Sequence, residues 1–210
     1  MRPLGAFFLG LCQMKTIDYF YVPQSPWTYL GHDRFWKIAQ QANATVRLKP
    51  FDLGLVFPVS GGLPLGQRAP QRQAYRLVEL KRFSQALALP MHIEPKYFPV
   101  PGHPAAELVI AAEMQHGVQA GMALAGAVLA AVWAQERDIA NPEVLAQLLK
   151  ECNLDPDIAR HAQSDAVKQR YSDNTQEAIA LGIFGAPSYV IDREIFWGQD
   201  RLDFVQQALL

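Results

Sequence analysis

The sequence predicts an α/β fold, one domain of strands and helices interrupted by a large all-helical insertion. Three observations support this. The chain opens as strand, helix, strand, with β-branched and aromatic runs at Thr16 to Val22 and Thr45 to Leu53 flanking a helical period from Trp27 to about Ala42. The middle of the chain reads almost entirely as helix. The end reads as two short strands and a last helix. A strand-helix-strand crossover places its two strands parallel. Strands that bracket a helical block assign residues 14–55 and 182–210 to the α/β domain and residues 56–181 to a loop and helical insertion.

Taken in order, Met1 to Gln13 hold one Arg and a short apolar run, Leu4 to Leu11, with no small-x-small cleavage site ahead of the first strand. Met14 directly precedes that strand, so residues 1–13 are expected to lie outside the fold, as an upstream or misassigned start. After the buried strand, Ser25 stands where an N-cap belongs and Pro26 where a helix tolerates the missing N–H. By itself the pair reads as a well-capped helix. At a strand-to-helix turn it also offers free N–H groups and the positive end of a helix dipole, a setting that favours an anion such as a thiolate. Val56 to Pro70, rich in Gly and Pro, is expected to be a long loop. Gln71 to Leu87 is an amphipathic helix, and Leu89 to Pro104 a proline-punctuated connection. Ala105 to Arg137 is helical, broken or kinked near Gly117 and Gly121; its apolar core, Ala120 to Ala134, falls short of the ~20 residues a membrane span needs. Asn141-Pro142-Glu143 and Asp155-Pro156 open further helices, and Ser172 to Leu181 continues the series. Gly185 to Asp192 runs from loop into strand, Arg193-Glu194 makes a tight turn, Ile195 to Trp197 returns, and Gly198 to Arg201 opens the final helix.

Composition narrows the function. Half of the 210 residues are hydrophobic, and 19 basic residues nearly balance 20 acidic ones. The chain can therefore bury a sizeable core, and no charge run points to nucleic acid or an acidic membrane, which leaves a small molecule as the expected partner. The two cysteines, Cys12 and Cys152, form no C-x-x-C pair, in keeping with a reducing compartment. His32, His92, His103, His116 and His161 are scattered, without i, i+4 pairing or carboxylate company, so no metal site is expected. Gly61-Gly62 with Gly66 lacks the Lys-Ser/Thr of a phosphate loop, and no Ser-His-Asp arrangement or G-x-S-x-G elbow is present.

Three ordered motifs go further: Ser25-Pro26-Trp27-Thr28-Tyr29-Leu30, then Phe184-Gly185-Ala186-Pro187-Ser188, then Phe196-Trp197-Gly198-Gln199-Asp200-Arg201-Leu202, with the helical block between the first two. Together they resemble the kappa-class glutathione transferases and, more closely, the 2-hydroxychromene-2-carboxylate isomerases, both of the DsbA-like branch of the thioredoxin fold. The resemblance spans about Met14 to Leu210. It implies a thioredoxin-like fold of order βαβ…ββα around the helical insertion. Where disulfide oxidoreductases of this fold carry C-x-x-C, the chain reads Ser25-Pro26-Trp27-Thr28. Both sulfur positions are gone, so thiol–disulfide exchange by the protein has neither nucleophile nor resolving thiol.

The resemblance implies that the sulfur arrives with glutathione and that Ser25, the catalytic residue, donates a hydrogen bond to its thiolate. A thiol of pKa ~8.5 is roughly 3% ionised at pH 7, and lowering it by about two units, ~2.7 kcal/mol, makes it mostly thiolate. A charge-assisted hydrogen bond together with a helix dipole supplies stabilisation of that order. By the same likeness Pro26 and Trp27 border the thiol, the Ala186-Pro187 bond is cis, Ala186 pairs with the tripeptide backbone, and Trp197, Gly198, Gln199 and Asp200 flank its γ-glutamyl end. Gln199-Asp200 could equally cap the last helix. For an aromatic acid substrate the matching residues are Phe57, Gln67, Arg68 and Tyr97. A lysine expected near Phe57 is absent, which leaves Arg68 or Arg72 to meet a carboxylate; Arg68 also reads as a solvated loop charge, and Tyr97 and Phe98 as core. The implied activity is a cytoplasmic, homodimeric isomerase that uses glutathione as a recycled nucleophile. A transferase that consumes glutathione, and a non-catalytic thiol- or peptide-binding module, are the alternatives.

Overall fold

The structure, a computed structural model, describes residues 14–210; the expectation for residues 1–13, and Cys12 with it, lies outside the described residues. Strand β1 (Thr16–Tyr21) pairs parallel with β2 (Thr45–Pro50), with Thr16 beside Thr45, and antiparallel with β3 (Ser188–Ile191), with Tyr19 opposite Tyr189. Strand β4 (Glu194–Trp197) completes a four-stranded mixed sheet of order β2-β1-β3-β4. Helix α1 (Pro26–Gln41) makes the β1-to-β2 crossover. Between β2 and β3 lie α2 (Leu53–Ser60), α3 (Pro70–Ala86), α4 (His103–His116), α5 (Val118–Trp133), α6 (Pro142–Glu151), α7 (Ile158–His161) and α8 (Asp165–Leu181), and α9 (Leu202–Ala208) ends the chain. This is the thioredoxin-like βαβ…ββα order, with helices between its halves.

Strand β1 is buried on both faces because helices cover both, which is why it reads as a continuous apolar run. Successive side chains alternate. Ile17, Tyr19 and Tyr21 face the larger core, built with α1, α4 and α5, where Tyr19 stacks on Tyr189 at 5.4 Å and packs against Phe35 at 4.4 Å. Phe20 and Val22 face a smaller core of Phe51, Val56, Ala178, Ile183, Ala186 and Val190 under α2 and α8. Asp18 lies on that second face and is buried, but Arg47 holds it through two bonds of 2.5 and 2.6 Å, and Lys49 bridges it to Glu177. A buried carboxylate without such partners would be strongly destabilising.

Several elements depart from the sequence reading. The segment expected as loop from Val56 contains α2, capped by Asp52, whose carboxylate accepts the Gly54 N–H at 2.8 Å, and closed by Gly61 in the left-handed region. Gly54 and Pro58 inside eight residues hide its helical period. A 3₁₀ turn follows at Leu65–Gln67. Gly117, with φ +83°, does separate α4 from α5, but Gly121 sits inside α5, where a Cβ would come within 2.9 Å of Leu48 and 3.0 Å of Glu113. Its role is close approach, not a break. Helix α8 begins at Asp165, with Ser164 as N-cap, seven residues before the expected Ser172. The β3–β4 turn is made by Asp192 and Arg193, both at positive φ, and Glu194 already pairs with Ile191. Among the described residues, no helix is long and apolar enough to cross a membrane.

His32 ties the sheet to the helical block. Wholly buried, it lies 2.9 Å from the Met122 carbonyl through Nε2 and 3.1 Å from the Tyr19 hydroxyl through Nδ1. A carbonyl only accepts, so Nε2 carries the proton and Nδ1 accepts from Tyr19. Burial pushes the imidazole below its ordinary value, offset in part by the Met122 carbonyl and Asp33. The unfolded chain therefore takes up this proton before the folded one does. Stability supplied by the neutral ring is complete above about pH 6.5 and declines as pH falls, by up to ~1.4 kcal/mol per unit. Urea melts between pH 7.5 and 5.5 should show that decline in the wild type and a flatter profile in His32→Gln; equal slopes would rule out His32 as its source.

Candidate functional site

The site is built where β1 gives way to α1. Ser25 has the extended backbone of an N-cap (φ −77°, ψ 123°), its Oγ accepts the Thr28 N–H at 3.2 Å, and its own N–H donates to the Val22 carbonyl at 3.1 Å. The cap and the first-position Pro26 start the helix, and no acidic residue in the first turn neutralises its positive end. The Ser25 hydroxyl then donates to the Ala186 carbonyl, 161 residues away, at 3.5 Å. That distance is at the outer limit of a hydrogen bond, so the proton is only loosely held. Ser25, Pro26 and Thr28 are buried, and Trp27 is half-buried with its ring edge-on to Phe83 of α3 at 6.1 Å.

Opposite Ser25, the Ala186-Pro187 bond is cis. The Pro187 carbonyl is taken by the Gly198 N–H at 2.9 Å, whereas the Ala186 N–H has no backbone acceptor among the described residues. Trp197 covers this loop. It is half exposed, edge-on to Phe184 at 4.7 Å, and so close that a Cβ on Gly185 would lie 2.4 Å from its indole nitrogen. The chain then turns through Gly198, at φ +107°, which allows the exposed Asp200 carboxylate to fold back over it and pair with Arg201 at 2.9 Å. Gln199 turns the other way. It is buried, its side-chain oxygen accepts from Arg34 at 2.8 Å, and its carbonyl accepts from the same guanidinium at 3.3 Å. Neither Gln199 nor Asp200 caps α9, whose N-cap position, Arg201, makes no side-chain capping bond. Residues 199–201 form a 3₁₀ turn instead.

The residues matched to an aromatic substrate fall into two groups. Phe57 of α2 and Arg68 come together, the guanidinium 5.9 Å above the ring, and Arg68 Nε donates to the Leu63 carbonyl at 2.8 Å. Gln67 and Arg72 are exposed. Tyr97 lies on the connection before α4, exposed, with the Lys96 ammonium 4.9 Å over its ring. Its neighbour Phe98 packs on Trp133 at 4.9 Å, so of that pair Phe98 is the one turned to the core.

Cys152, the cysteine among the described residues, sits at the end of α6, and burial and then Glu151 push its thiol up, away from thiolate character. Two histidines do have carboxylate company, contrary to the sequence reading: His103 lies 3.1 Å from Glu107, one turn along α4, and His92 lies 3.9 Å from Glu136. A helical i, i+4 His-Glu spacing was the available signal. Among the described residues no three His, Cys, Asp or Glu side chains converge as metal ligands would. Sequence reasoning also passed over Arg34, which fixes Gln199, and Asn174 and Thr175, which fix the end of β2 through the Pro50 carbonyl at 3.1 Å and the Asp52 N–H at 2.9 Å. Nothing in their local pattern marks them; their partners are more than 100 residues away.

A sequence model of the DSBA-like thioredoxin domain matches residues 16–210. The chain belongs to the DSBA-like thioredoxin family. Within it, the chain is similar to proteins named 2-hydroxychromene-2-carboxylate isomerase from Sphingobium xenophagum (24% identical over 198 residues, 93% of this chain and 98% of that one) and Pseudomonas putida (28% over 196 residues, 92% and 93%). It is similar as well to human glutathione S-transferase kappa 1, at 22% identity over 207 residues, 93% and 91% of the two chains. Among solved structures, a 2-hydroxychromene-2-carboxylate isomerase superposes with a TM-score of 0.76 at 25% identity, covering 92% of this chain and 94% of that one. More than nine-tenths of this DSBA-like chain is thus covered by these proteins, and the turn into α1 reads Ser25-Pro26-Trp27-Thr28, without cysteine.

The turn that carries Trp197 to Asp200 docks on α1 through Gly31. A Cβ there would lie 2.8 Å from the Gln199 Cβ and 3.2 Å from the Tyr189 hydroxyl. Gly31→Ala should therefore destabilise the protein by about 1–3 kcal/mol through overpacking, read as a lower urea midpoint with an unchanged slope. An unshifted midpoint would show that the contact relaxes freely.

Proposed function

We propose that this protein is a glutathione-dependent isomerase acting on aromatic acids of the 2-hydroxychromene-2-carboxylate kind. The observation that carries the reading is a serine hydroxyl at the positive end of a 16-residue helix, facing a cis-proline loop, with no protein sulfur at either C-x-x-C position. Kinship with the named isomerases supports the substrate class, and kinship with the kappa transferase supports glutathione.

In this reading the tripeptide lies along Ala186-Pro187, its cysteinyl backbone meeting the free Ala186 N–H. Its γ-glutamyl end meets Trp197, Gly198 and Asp200; Gln199 contributes main chain, because Arg34 holds its side chain. The thiolate displaces the Ala186 carbonyl as acceptor of the Ser25 proton, a favourable exchange because a charged acceptor makes the stronger bond. Pro26 and Trp27 close the space around the sulfur. The hemiketal ring of the substrate opens first: its ring C–O bond breaks, the 2-hydroxyl becomes a ketone and its proton passes to the phenolic oxygen. The thiolate then adds to the alkene carbon next to the aromatic ring, forming a C–S bond and moving the π electrons onto the conjugated ketone as an enolate. The former double bond then rotates as a single bond. Elimination breaks the C–S bond, restores the double bond in the trans arrangement and returns the thiolate, so glutathione is not consumed. The acid lies toward Phe57, Gln67, Arg68 and Tyr97. We propose further that the protein works as a homodimer in the cytoplasm.

Turnover of 2-hydroxychromene-2-carboxylate, followed by absorbance together with a free-thiol count, tests this. Isomerisation should require glutathione and leave the thiol count constant, and Ser25→Ala should lower kcat/KM by about 10²-fold or more while the fold is kept at a cost of ~1 kcal/mol for the lost cap. Thiol consumed in step with product would make the protein a transferase of the kappa kind. Full activity in Ser25→Ala, or without glutathione, would overturn the proposal.

A further inference from the structure

Helix α3 and residues 93–99 line an open cavity of about 480 Å³, within the size range of small-molecule sites. Leu65, Leu77 and Ile93 give it apolar walls, and Arg76 enters it from α3. The Arg76 guanidinium lies 5.1 Å from the centre of the Phe98 ring and 5.7 Å from that of Trp133. An aromatic ring attracts the cation but does not take its N–H groups as an oxygen acceptor would. Among the described residues no carboxylate pairs with Arg76 and no acceptor takes its protons, although Glu94 lines the same cavity. Burial and the nearby Arg68 charge push its pKa down to about 10, so it is still protonated at neutral pH.

A second buried cation is treated differently. Lys49, also buried, is neutralised by Asp18 and Glu177. A half-buried guanidinium with an empty donor edge is destabilised by its surroundings unless an anion completes it. Of the arginines near the candidate substrate residues, Arg72 is exposed and Arg68 spends its Nε on the Leu63 carbonyl, whereas Arg76 keeps its whole edge. Pro99, in the cavity wall, is three residues from Gly102, which packs so tightly on Gln24, next to Ser25, that a Cβ would lie 2.0 Å from its side-chain oxygen.

We propose, building on the isomerase reading, that this cavity receives a flat organic acid, its carboxylate held in two parallel hydrogen bonds by Arg76 and its ring against the apolar wall. A planar fork suits a carboxylate, and the aliphatic wall suits an aromatic body. Arg76 is thus a specificity-determining residue, selecting acids over their neutral counterparts.

Calorimetric titration of the full chain, without glutathione, with 2-naphthoate and with 2-naphthamide tests this directly. Wild-type protein should bind the acid at least tenfold more tightly than the amide; Arg76→Met should abolish that preference, with the amide bound as before, and Arg76→Lys should keep part of it. Equal binding of acid and amide by the wild type would overturn the proposal without any variant, as would a preference that survives in Arg76→Met. Acid preference in a protein that fails to isomerise would remove the isomerase reading and leave this site standing. Isomerisation in a protein that shows no such preference would do the reverse.

Discussion

The Ser25 hydroxyl does two things at once, and the architecture around it follows from both. It accepts the Thr28 N–H and so starts α1, and it donates to the Ala186 carbonyl and so faces the loop that leads into β3. One atom therefore joins the beginning and the end of the α/β layer, across the helices between them. Each bond is modest, of the order of 1 kcal/mol, and neither holds the fold by itself. What fixes the geometry is the sheet beneath. Strand β1 is packed on both faces, β3 is hydrogen-bonded to it in a single register, and the stack of Tyr19, Tyr189 and Phe35 leaves α1 little freedom to shift.

That rigidity matters for chemistry because a hydroxyl is a weak substitute for sulfur. It cannot exchange with a disulfide, but a donor at a helix N-terminus suits a thiolate, which in the proposed reaction is brought by another molecule. In the proposed reaction the surroundings that would depress the pKa of a resident cysteine act instead on a visiting thiol. The donor has to be preorganised for this to be efficient. Cap, cis-proline loop and the tightly docked turn at Gly198 provide the preorganisation.

How much of this was legible in the sequence depends on the range of the interactions. The Ser25 cap, the Pro26 start and the Asn141-Pro142 start rest on neighbouring residues, and all appear at the expected positions. The parallel β1–β2 crossover and the β3–β4 hairpin follow from apolar runs and a two-residue turn, although the turn is one residue earlier than read. Helix α2 was hidden by Gly54 and Pro58, residues usually read as breakers, and Gly121 was read as a break or kink, whereas its smallness serves packing against Leu48. The inward turn of Gln199 depends on Arg34, and the exposed donor edge of Arg76 depends on what is missing from its surroundings; no local pattern encodes either.

The central claim is that this protein lowers the pKa of a thiol it does not own. Thiolate absorbance near 240 nm, recorded as pH is raised from 5 to 10 on glutathione-saturated wild-type and Ser25→Ala protein, tests it most directly. Bound glutathione should ionise about two units below a free thiol in the wild type, and return toward the ordinary value near 8.5 in the variant. A wild-type titration that coincides with that of free glutathione would contradict the claim.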